Sequence, residues 1–297
     1  MLGRKKFPIP QQLGRECSGV VEAVGKYVTN FKVGDRVHGL VHPENSMCEN
    51  AIRGLGNLST NIDYPAHVMF GAYAQYVVRP ENYWMHLPDN VNFDDAAAGG
   101  WAYPTSLRII KDRCNVQVGD VVCIAGASGG MGIAAVQWAK LMGAEVVGLS
   151  RGTSKLEELK TIGCDYAVDC LDEEEAAKKI REITATRGVE HFIDFTGASS
   201  MIKLGVGVLR EGGCICTVAD NKENLPFSTA EIINLEMKIV GVRGATVNDH
   251  RIYLQELNRG RIHPVIASIM KLSEIQEAYK MVEEHRVFGK IIIHPQD

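Results

Sequence analysis

No stretch of the 297-residue chain approaches the ~18 consecutive apolar residues that a membrane-spanning helix needs. Its first residues, MLGRKKFPIPQQ, hold no apolar core of a secretory signal, so no signal peptide is expected. The eight cysteines, at positions 17, 48, 114, 123, 164, 170, 214 and 216, include no C-x-x-C pair. A disulfide framework is therefore not expected, and a reducing cytoplasm is the expected compartment. Cys123, Cys214 and Cys216 fall inside predicted strands, where cysteine serves as a small buried apolar residue. The formal net charge of −4 lacks the basic field that nucleic-acid binding requires. What remains is an ordinary globular composition, 45% hydrophobic and 23% charged, in a chain long enough for two domains.

The most informative stretch is DVVCIAGASGGMGIAAVQWAKLMGAEVVGLSRGTSK. Val121–Ala125 is a continuous apolar run, the pattern of a strand buried on both faces. It leads into Gly126-Ala127-Ser128-Gly129-Gly130-Met131-Gly132. A helix follows, with Ile133, Val136, Trp138, Ala139 and Leu141 on its buried side and Gly143 closing it. A second β-branched run, Glu145–Leu149, starts two residues later. Strand, turn, helix and strand fit the length of one βαβ unit, about thirty residues. A glycine turn of this kind lets the backbone approach a pyrophosphate, and the helix start at Met131–Gly132 offers it free N–H groups and a partial positive charge. Against the G-x-G-x-x-G fingerprint the aligned residues are Ala127, Gly129 and Gly132, so the first glycine is an alanine.

The end of the second strand selects the dinucleotide. An NAD site usually places Asp or Glu about 20 residues past the glycines to bind the ribose hydroxyl. This chain has Ser150 and Arg151 there, Lys155 one helical turn on, and no carboxylate between Glu145 and Glu157. A hydroxyl and two cations suit a 2′-phosphate, so NADP(H) is the expected cofactor.

Alternation of strand and helix continues with strands at Tyr166–Asp169, His191–Asp194, Cys214–Val218 and Met237–Val242 and helices at Glu173–Thr184 and Ser199–Leu209. That order predicts an α/β fold with a doubly wound parallel sheet. Thr196-Gly197, Ala219 and Arg243 follow strands at the carboxyl edge, where ligands bind. Before residue 90 the chain reads differently: Pro8 and Pro10 in an extended approach, Val20, Val21 and Val24 as strand, Gly25 as turn, then short β runs between glycine turns. This part is expected to be a separate β-rich domain. A helix begins after Pro88, with Asp94 and Asp95 at its positive end. After Ala245 the predicted elements are a helix over about 248–258, a strand near Val265–Met270, a helix over about 273–284 and a strand at Lys290–His294.

The segment GRECSGVVEAVGKYVTNFKVGDRV resembles the GHE-x-x-G-x-V…GDRV signature of the medium-chain dehydrogenases/reductases. GAYAQYVV, LPDNVNFDDAAA, VGDVV, GASGGMG and FGKIIIHP continue the match in the family's order along essentially the whole chain. The resemblance implies a GroES-like catalytic domain over residues 1–102, a Rossmann domain over 103–244 and a return to the catalytic domain over 245–297. It implies cofactor contacts at Thr105, Ser128, Gly129, Gly130, Met131, Gly132, Ser150, Arg151, Lys155, Thr196, Gly197, Ala219 and Arg243. Trp101–Ser106 would face the nicotinamide, with Tyr103 and Thr105 as catalytic candidates and Tyr103 read chiefly as a packing aromatic.

The departures from the family concern zinc. The histidine of GHE, a catalytic ligand in zinc members, is Arg15 here, and a guanidinium has no lone pair for a metal. With Thr105 taken as the family's nicotinamide-side threonine, the cysteine ligand four residues earlier is Trp101. The four cysteines of the structural zinc lobe correspond to Asn45, Cys48, Ala51 and Ser59, and one sulfur cannot build a tetrahedral site. No metal is expected, and Cys48 is read as a leftover thiol in a surface lobe. His38, His42 and His67 are read as polar-surface histidines. Only fourteen residues precede Arg15, fewer than in family members, whose first strands carry part of the substrate pocket; an internal Met as Met1 and a natural truncation are both open.

Hydride transfer without zinc needs an acceptor that is already electrophilic. A quinone or an α,β-unsaturated carbonyl, enoyl thioesters included, qualifies; a simple ketone or alcohol normally wants a Lewis acid. The expected function is thus zinc-independent NADP(H)-dependent reduction of a small-molecule acceptor, with no nucleic-acid or membrane partner. The rivals are a zinc-free carbonyl reductase of the alcohol dehydrogenase type and a non-catalytic NADPH-binding protein. The sixth strand, KIVGVRG, is expected to end the sheet with an apolar edge, which predicts a homodimer or homotetramer.

Overall fold

The computed structural model describes residues 10–67, 69–220 and 224–296. It divides into two compact units, one of residues 1–104 with 244–297 and one of residues 105–243. The extended approach expected around Pro8 lies outside the described residues.

The first unit opens with three short antiparallel strands, β1 (Ser18–Val20), β2 (Arg36–Gly39) and β3 (Trp84–His86). Gly19 faces Val37, and Val37 faces His86. The strand expected through Val24 stops at Val20. Past it, Val21 exchanges hydrogen bonds with Asp35 and Gly34, where the partner strand has become a turn, with Gly34 at φ 90°. The unit is therefore less β-rich than expected and is held largely by non-local turns. Gln12, Leu13 and Gly14, for example, accept backbone hydrogen bonds from Gly71, Tyr73 and Ala72. Helix α1 (Glu49–Ile52) sits in the lobe between β2 and β3. Helix α2 (Phe93–Ala98) starts where Asn92 Oδ1 accepts from Asp94 N–H at 2.8 Å, and Asp94 and Asp95 fill its first turn.

Helix α3 (Ala102–Arg108) runs into a π-helical turn, Ile109–Arg113, and the chain enters the second unit. Here strands β4 (Val121–Ala125), β5 (Glu145–Ser150), β6 (Tyr166–Asp169), β7 (Val189–Asp194), β8 (Leu209–Thr217) and β9 (Lys238–Gly241) form one sheet. Every pairing is parallel and the spatial order is β6-β5-β4-β7-β8-β9. This is the Rossmann order, reversing between β4 and β7. Each residue of β4 is buried, as a central strand covered by helices on both faces must be. The helices are α4 (Gly130–Leu141), α5 (Leu156–Thr161), α6 (Glu173–Ile183), α7 (Ser199–Val208) and α8 (Thr229–Leu235). Helix α4 buries Ile133, Val136, Trp138 and Ala139 as expected, together with Gly132, Ala134 and Ala135, whose small size lets it lie close to the sheet; Leu141, expected on that side, is 39% exposed in the last turn. Gly143 closes it at φ 82°.

The chain then returns to the first unit. Helix α9 (Val247–Asn258) begins with a capping box between Thr246 and Asp249. Strand β10 (Ile266–Lys271), helix α10 (Ile275–Glu283) and strand β11 (Lys290–His294) follow, β10 and β11 pairing in parallel. Two side-chain contacts fasten β11 within the first unit: the ion pair of Lys290 Nζ with Glu16 Oε2, near the start of the chain, and the hydrogen bond of His294 Nε2 with Asp94 Oδ1 of α2 at 2.7 Å. No helix among the described residues is long and apolar enough to cross a membrane.

Candidate functional site

In the second unit the residues expected to hold a dinucleotide gather at the carboxyl ends of β4, β7 and β8. The residue of the turn that needs a left-handed conformation is Gly126, at φ 78°, one before the fingerprint's first position. That is why Ala127 is tolerated there: its side chain is fully buried and its backbone needs no glycine. Helix α4 starts at Gly130, one residue earlier than expected, and its N-cap Gly129 makes no side-chain capping bond. The first-turn N–H groups of Gly130, Met131 and Gly132 therefore meet the dipole's positive end without a side-chain cap, a ready anion site beside Ser128. A Cβ on Gly132 would fall 2.2 Å from the Gly126 carbonyl oxygen, so glycine there permits the helix to approach the turn.

Thr196 and Gly197 are fixed by Asp194, which is fully buried at the end of β7. The Asp194 carboxylate accepts from Thr196 N–H and Oγ1–H, at 2.9 and 2.6 Å, and from Gly197 N–H at 3.1 Å. A Cβ on Gly126 would lie 3.3 Å from Thr196 Cγ2, and one on Gly197 3.1 Å from Ala219 Cβ, so these three loops form one surface. Thr105 is 1% exposed, and its Oγ1 has no hydrogen-bond partner among the described residues. A buried polar atom left unmatched in this way is what a bound ligand group would satisfy. Ser106, not singled out from the sequence, donates from Oγ to the Met131 carbonyl at 3.0 Å and ties α3 to the glycine turn. Its signal, a serine beside Thr105 in a helix, becomes readable only once the two segments are seen together.

At the end of the neighbouring strand β5, Ser150 is buried, Arg151 exposed and Lys155 half-buried in a short turn over Thr153–Lys155. Asp169, the register partner of Ser150 on β6, accepts at Oδ1 from the N–H groups of Gly152 and Leu171, at 2.7 and 2.9 Å. Arg243 is exposed two residues past the edge strand β9.

In the first unit the positions tied to catalytic zinc hold a stacked pair. The Arg15 guanidinium lies 4.6 Å from the centre of the Trp101 ring. Trp101 N–H donates to Glu16 Oε1 at 2.7 Å, which fixes the residue beside Arg15. The ring of His42 meets Trp101 edge-on at 5.0 Å and Tyr64 at 6.0 Å; Tyr64 meets His67 at 6.4 Å. His38 and His42 are not surface residues, contrary to expectation: they are 0% and 7% exposed. His38 Nε2 sits 3.2 Å from His250 Nδ1, a partner supplied by α9 that no local pattern announces. His67 is half-buried. Tyr103, 2% exposed, stacks on Tyr253 at 5.4 Å and donates its hydroxyl to the His263 carbonyl at 2.9 Å. Its proton is committed inside the first unit, as a packing aromatic's would be.

The lobe positions do come together, but as a hydrogen-bonded cluster. Cys48 is not simply a leftover thiol: its Sγ accepts from Ala51 N–H at 3.4 Å as the N-cap of α1 and lies 3.5 Å from Ser59 Oγ. Ser59 Oγ in turn accepts from Asn45 N–H at 3.2 Å. Asn45, Cys48, Ala51 and Ser59 offer one sulfur, and Arg15 with Trp101 offers no metal lone pair. Neither set fits zinc.

Residues 1–89 match the alcohol dehydrogenase GroES-like domain and residues 130–259 the zinc-binding dehydrogenase family, the latter a stretch that contains none of the zinc positions just considered. The chain is 28% identical over 292 residues to the acryloyl-coenzyme A reductase of Sulfurisphaera tokodaii, covering 98% of this chain and 85% of the relative. It is 28% identical to an alcohol dehydrogenase of Geobacillus stearothermophilus, covering 97% and 84%. Among solved structures, an NAD-dependent alcohol dehydrogenase superposes with a TM-score of 0.88 at 30% identity, covering 98% of this chain and 84% of that one. The alcohol dehydrogenase of Aeropyrum pernix does so with a TM-score of 0.89 at 25% identity, covering 98% and 84%. With its glycine turn, its Rossmann strand order and these matches along its length, the chain belongs to the medium-chain dehydrogenase/reductase superfamily of oxidoreductases.

Proposed function

We propose that the chain is a zinc-independent, NADP(H)-dependent oxidoreductase that reduces a quinone or an α,β-unsaturated carbonyl, enoyl thioesters included. The observation that carries this reading is the Arg15–Trp101 pair, which puts a permanent cation and an indole where zinc members of the family place ligands. A nicotinamide, when bound, would supply hydride chemistry. The chain's own groups do the rest. The first turn of α4 would hold the pyrophosphate, Ser150, Arg151 and Lys155 would hold the 2′-phosphate, and the Arg15 guanidinium would stabilise an oxygen that gains negative charge. A delocalised enolate or hydroquinone anion is within reach of one such cation, whereas a localised alkoxide calls for a stronger Lewis acid. The similarity to an acryloyl-coenzyme A reductase supports the enoyl thioester as one acceptor class.

The edge position of β9 supports assembly as a homodimer or homotetramer. Eight free thiols support a cytoplasmic setting. Steady-state assays with NADPH against a quinone, an enone, an enoyl-CoA and an alcohol, each with and without chelator, test the reading. Turnover of one of the first three, unaffected by chelator, is expected. Chelator-sensitive alcohol oxidation would overturn it, and NADPH binding with no turnover of any acceptor would make the chain a cofactor-binding protein instead.

A further inference from the structure

Within the second unit three ligand-type side chains meet far from any motif read in the sequence. One ligand atom each of Cys114, His191 and Cys214 lies within 4.8 Å of the other two, and all three residues are buried. Their meeting follows from the fold. His191 on β7 is the register partner of Cys214 on β8, so the two side chains share a face of the sheet. Cys216, two residues on, shares that face and is in thiol contact with Cys114. Cys114 arrives from the other side, at the end of the π-helical turn, where its N–H donates to the Ile109 carbonyl five residues back. The wider π-turn is a common device for setting a side chain at a functional position.

The histidine is already oriented as a ligand would be. Its Nε2 faces Asp120 Oδ2 at 2.9 Å, and the same carboxylate oxygen is steadied by Gln117 N–H at 2.8 Å. With Nε2–H donating to that carboxylate, Nδ1 keeps its lone pair; it is buried, and the imidazole lies in polar contact with the Cys214 thiol. A carboxylate behind the imidazole is the usual outer support of a metal-bound histidine. We propose that Cys114, His191 and Cys214 form a binding site for a thiophilic d10 cation of the Zn2+ kind, with Asp120 positioning His191. In a tetrahedral zinc site of sulfur at about 2.3 Å and nitrogen at about 2.0 Å, ligand atoms stand a little under 4 Å apart, so the cluster needs to contract by no more than about 1 Å. Cys216 is at hand as a third sulfur and fourth ligand. His191 lies in the amino-terminal half of β7, away from the carboxyl edge that carries the cofactor residues, so the site clamps the sheet to the end of the α3 segment and takes no part in hydride transfer.

The full chain, stripped of metal and kept reduced, is titrated with Co2+ and then Zn2+. One equivalent of Co2+ should give thiolate-to-cobalt charge transfer and tetrahedral d–d bands, both removed by one equivalent of Zn2+. Cys114→Ser and Cys214→Ser should each lower the intensity of the charge-transfer band, Cys48→Ser should leave it unchanged, and Asp120→Asn should weaken binding about 10- to 100-fold. Absence of the bands in the wild type, or their undiminished intensity in both cysteine variants, overturns the proposal. So does a Cys114–Cys214 disulfide in the protein as purified. X-ray absorption at the zinc edge of the wild type needs no variant to fold: a shell with at least two sulfurs and one nitrogen is expected, and an all-oxygen-and-nitrogen shell overturns it. None of these readouts depends on the acceptor or cofactor proposed above.

Discussion

The guanidinium carbon of Arg15 lies over the indole of Trp101, 4.6 Å from its centre, at the two places where a zinc enzyme of this family would carry histidine and cysteine. Burial on one side pushes the Arg15 pKa down and Glu16 partly restores it, yet an arginine keeps its charge at any working pH. If that charge stabilises an enolate oxygen, Arg15→Ala should lower kcat about 10²- to 10³-fold, the usual loss for one oxyanion donor. Arg15→Lys should recover part of it, with KM for NADPH unchanged throughout. Restoration of the metal-type residue in Arg15→His should not create zinc-dependent alcohol oxidation, since Trp101 still provides no ligand. Steady-state kinetics on the three variants check this, and full activity in Arg15→Ala would remove Arg15 from the mechanism.

Arg151 and Lys155 follow β5 in a turn beside Asp169, the register partner of Ser150, whose Oδ1 accepts from two backbone N–H groups. Replacing both cations with alanine should weaken NADPH binding about 10- to 100-fold, or about 1.4–2.8 kcal/mol, and leave NADH binding unchanged. Fluorescence titration with each cofactor measures it; equal losses for both would mean the two residues do not read the 2′-phosphate.

Much of the second unit was legible because its signals are local. Val121–Ala125 announces a central strand, Gly126–Gly132 a turn into a helix, and the recurring strands a parallel sheet, each within a few residues. Gly126 shows the limit even there: the alignment placed weight on Ala127, while the positive φ belongs to its neighbour. The first unit was legible in class but not in detail, since Gln12–Gly14 bonds to Gly71–Tyr73 and β11 to Glu16 and Asp94. Contacts of that span have no periodicity to read. His38 looked like a polar-surface residue because its partner, His250, is 212 positions away. The Cys114–His191–Cys214 cluster was hidden for the same reason, each member a plausible buried strand or loop residue alone.

The buried histidines make stability depend on acid. Burial lowers the His38 pKa to about 4, with the Ala96 backbone opposing the shift and Arg79 adding to it. His250 is pushed down too, by burial and by His38 and His42. Starting from 6.5, the unfolded chain takes up a proton on His38 that the folded chain refuses until pH nears 4. Stability should therefore be lost as pH falls through that window, by about 1.4 kcal/mol per pH unit for each such site. Urea unfolding followed between pH 7 and pH 4 should show this slope in the wild type. His38→Asn should start less stable at pH 7, because His250 loses its partner, but fall less steeply; an unchanged slope would mean that His38 titrates normally.

The last prediction concerns assembly. Strand β9 closes one side of the six-stranded sheet and has β8 on one flank only. Its residues Lys238 and Ile239 are exposed, Ile239 by 37%, and the strand carries a single charge, that of Lys238. A short apolar edge with unpaired backbone groups is a template for a second strand, and the economical partner is the same edge of a second copy, related by a two-fold axis. The opposite edge, β6, is less suited, since Asp169 and the exposed Tyr166 flank it and its backbone is followed at once by the Asp169-capped turn. Light scattering at micromolar concentration should then give at least twice the chain mass of 32.6 kDa. Val240→Lys, which adds a second charge to the edge without entering the core cluster, should shift the mass toward that of one chain while NADPH binding persists. A wild type that scatters as a monomer would remove the edge-pairing reading, and a variant that remains associated would move the interface elsewhere.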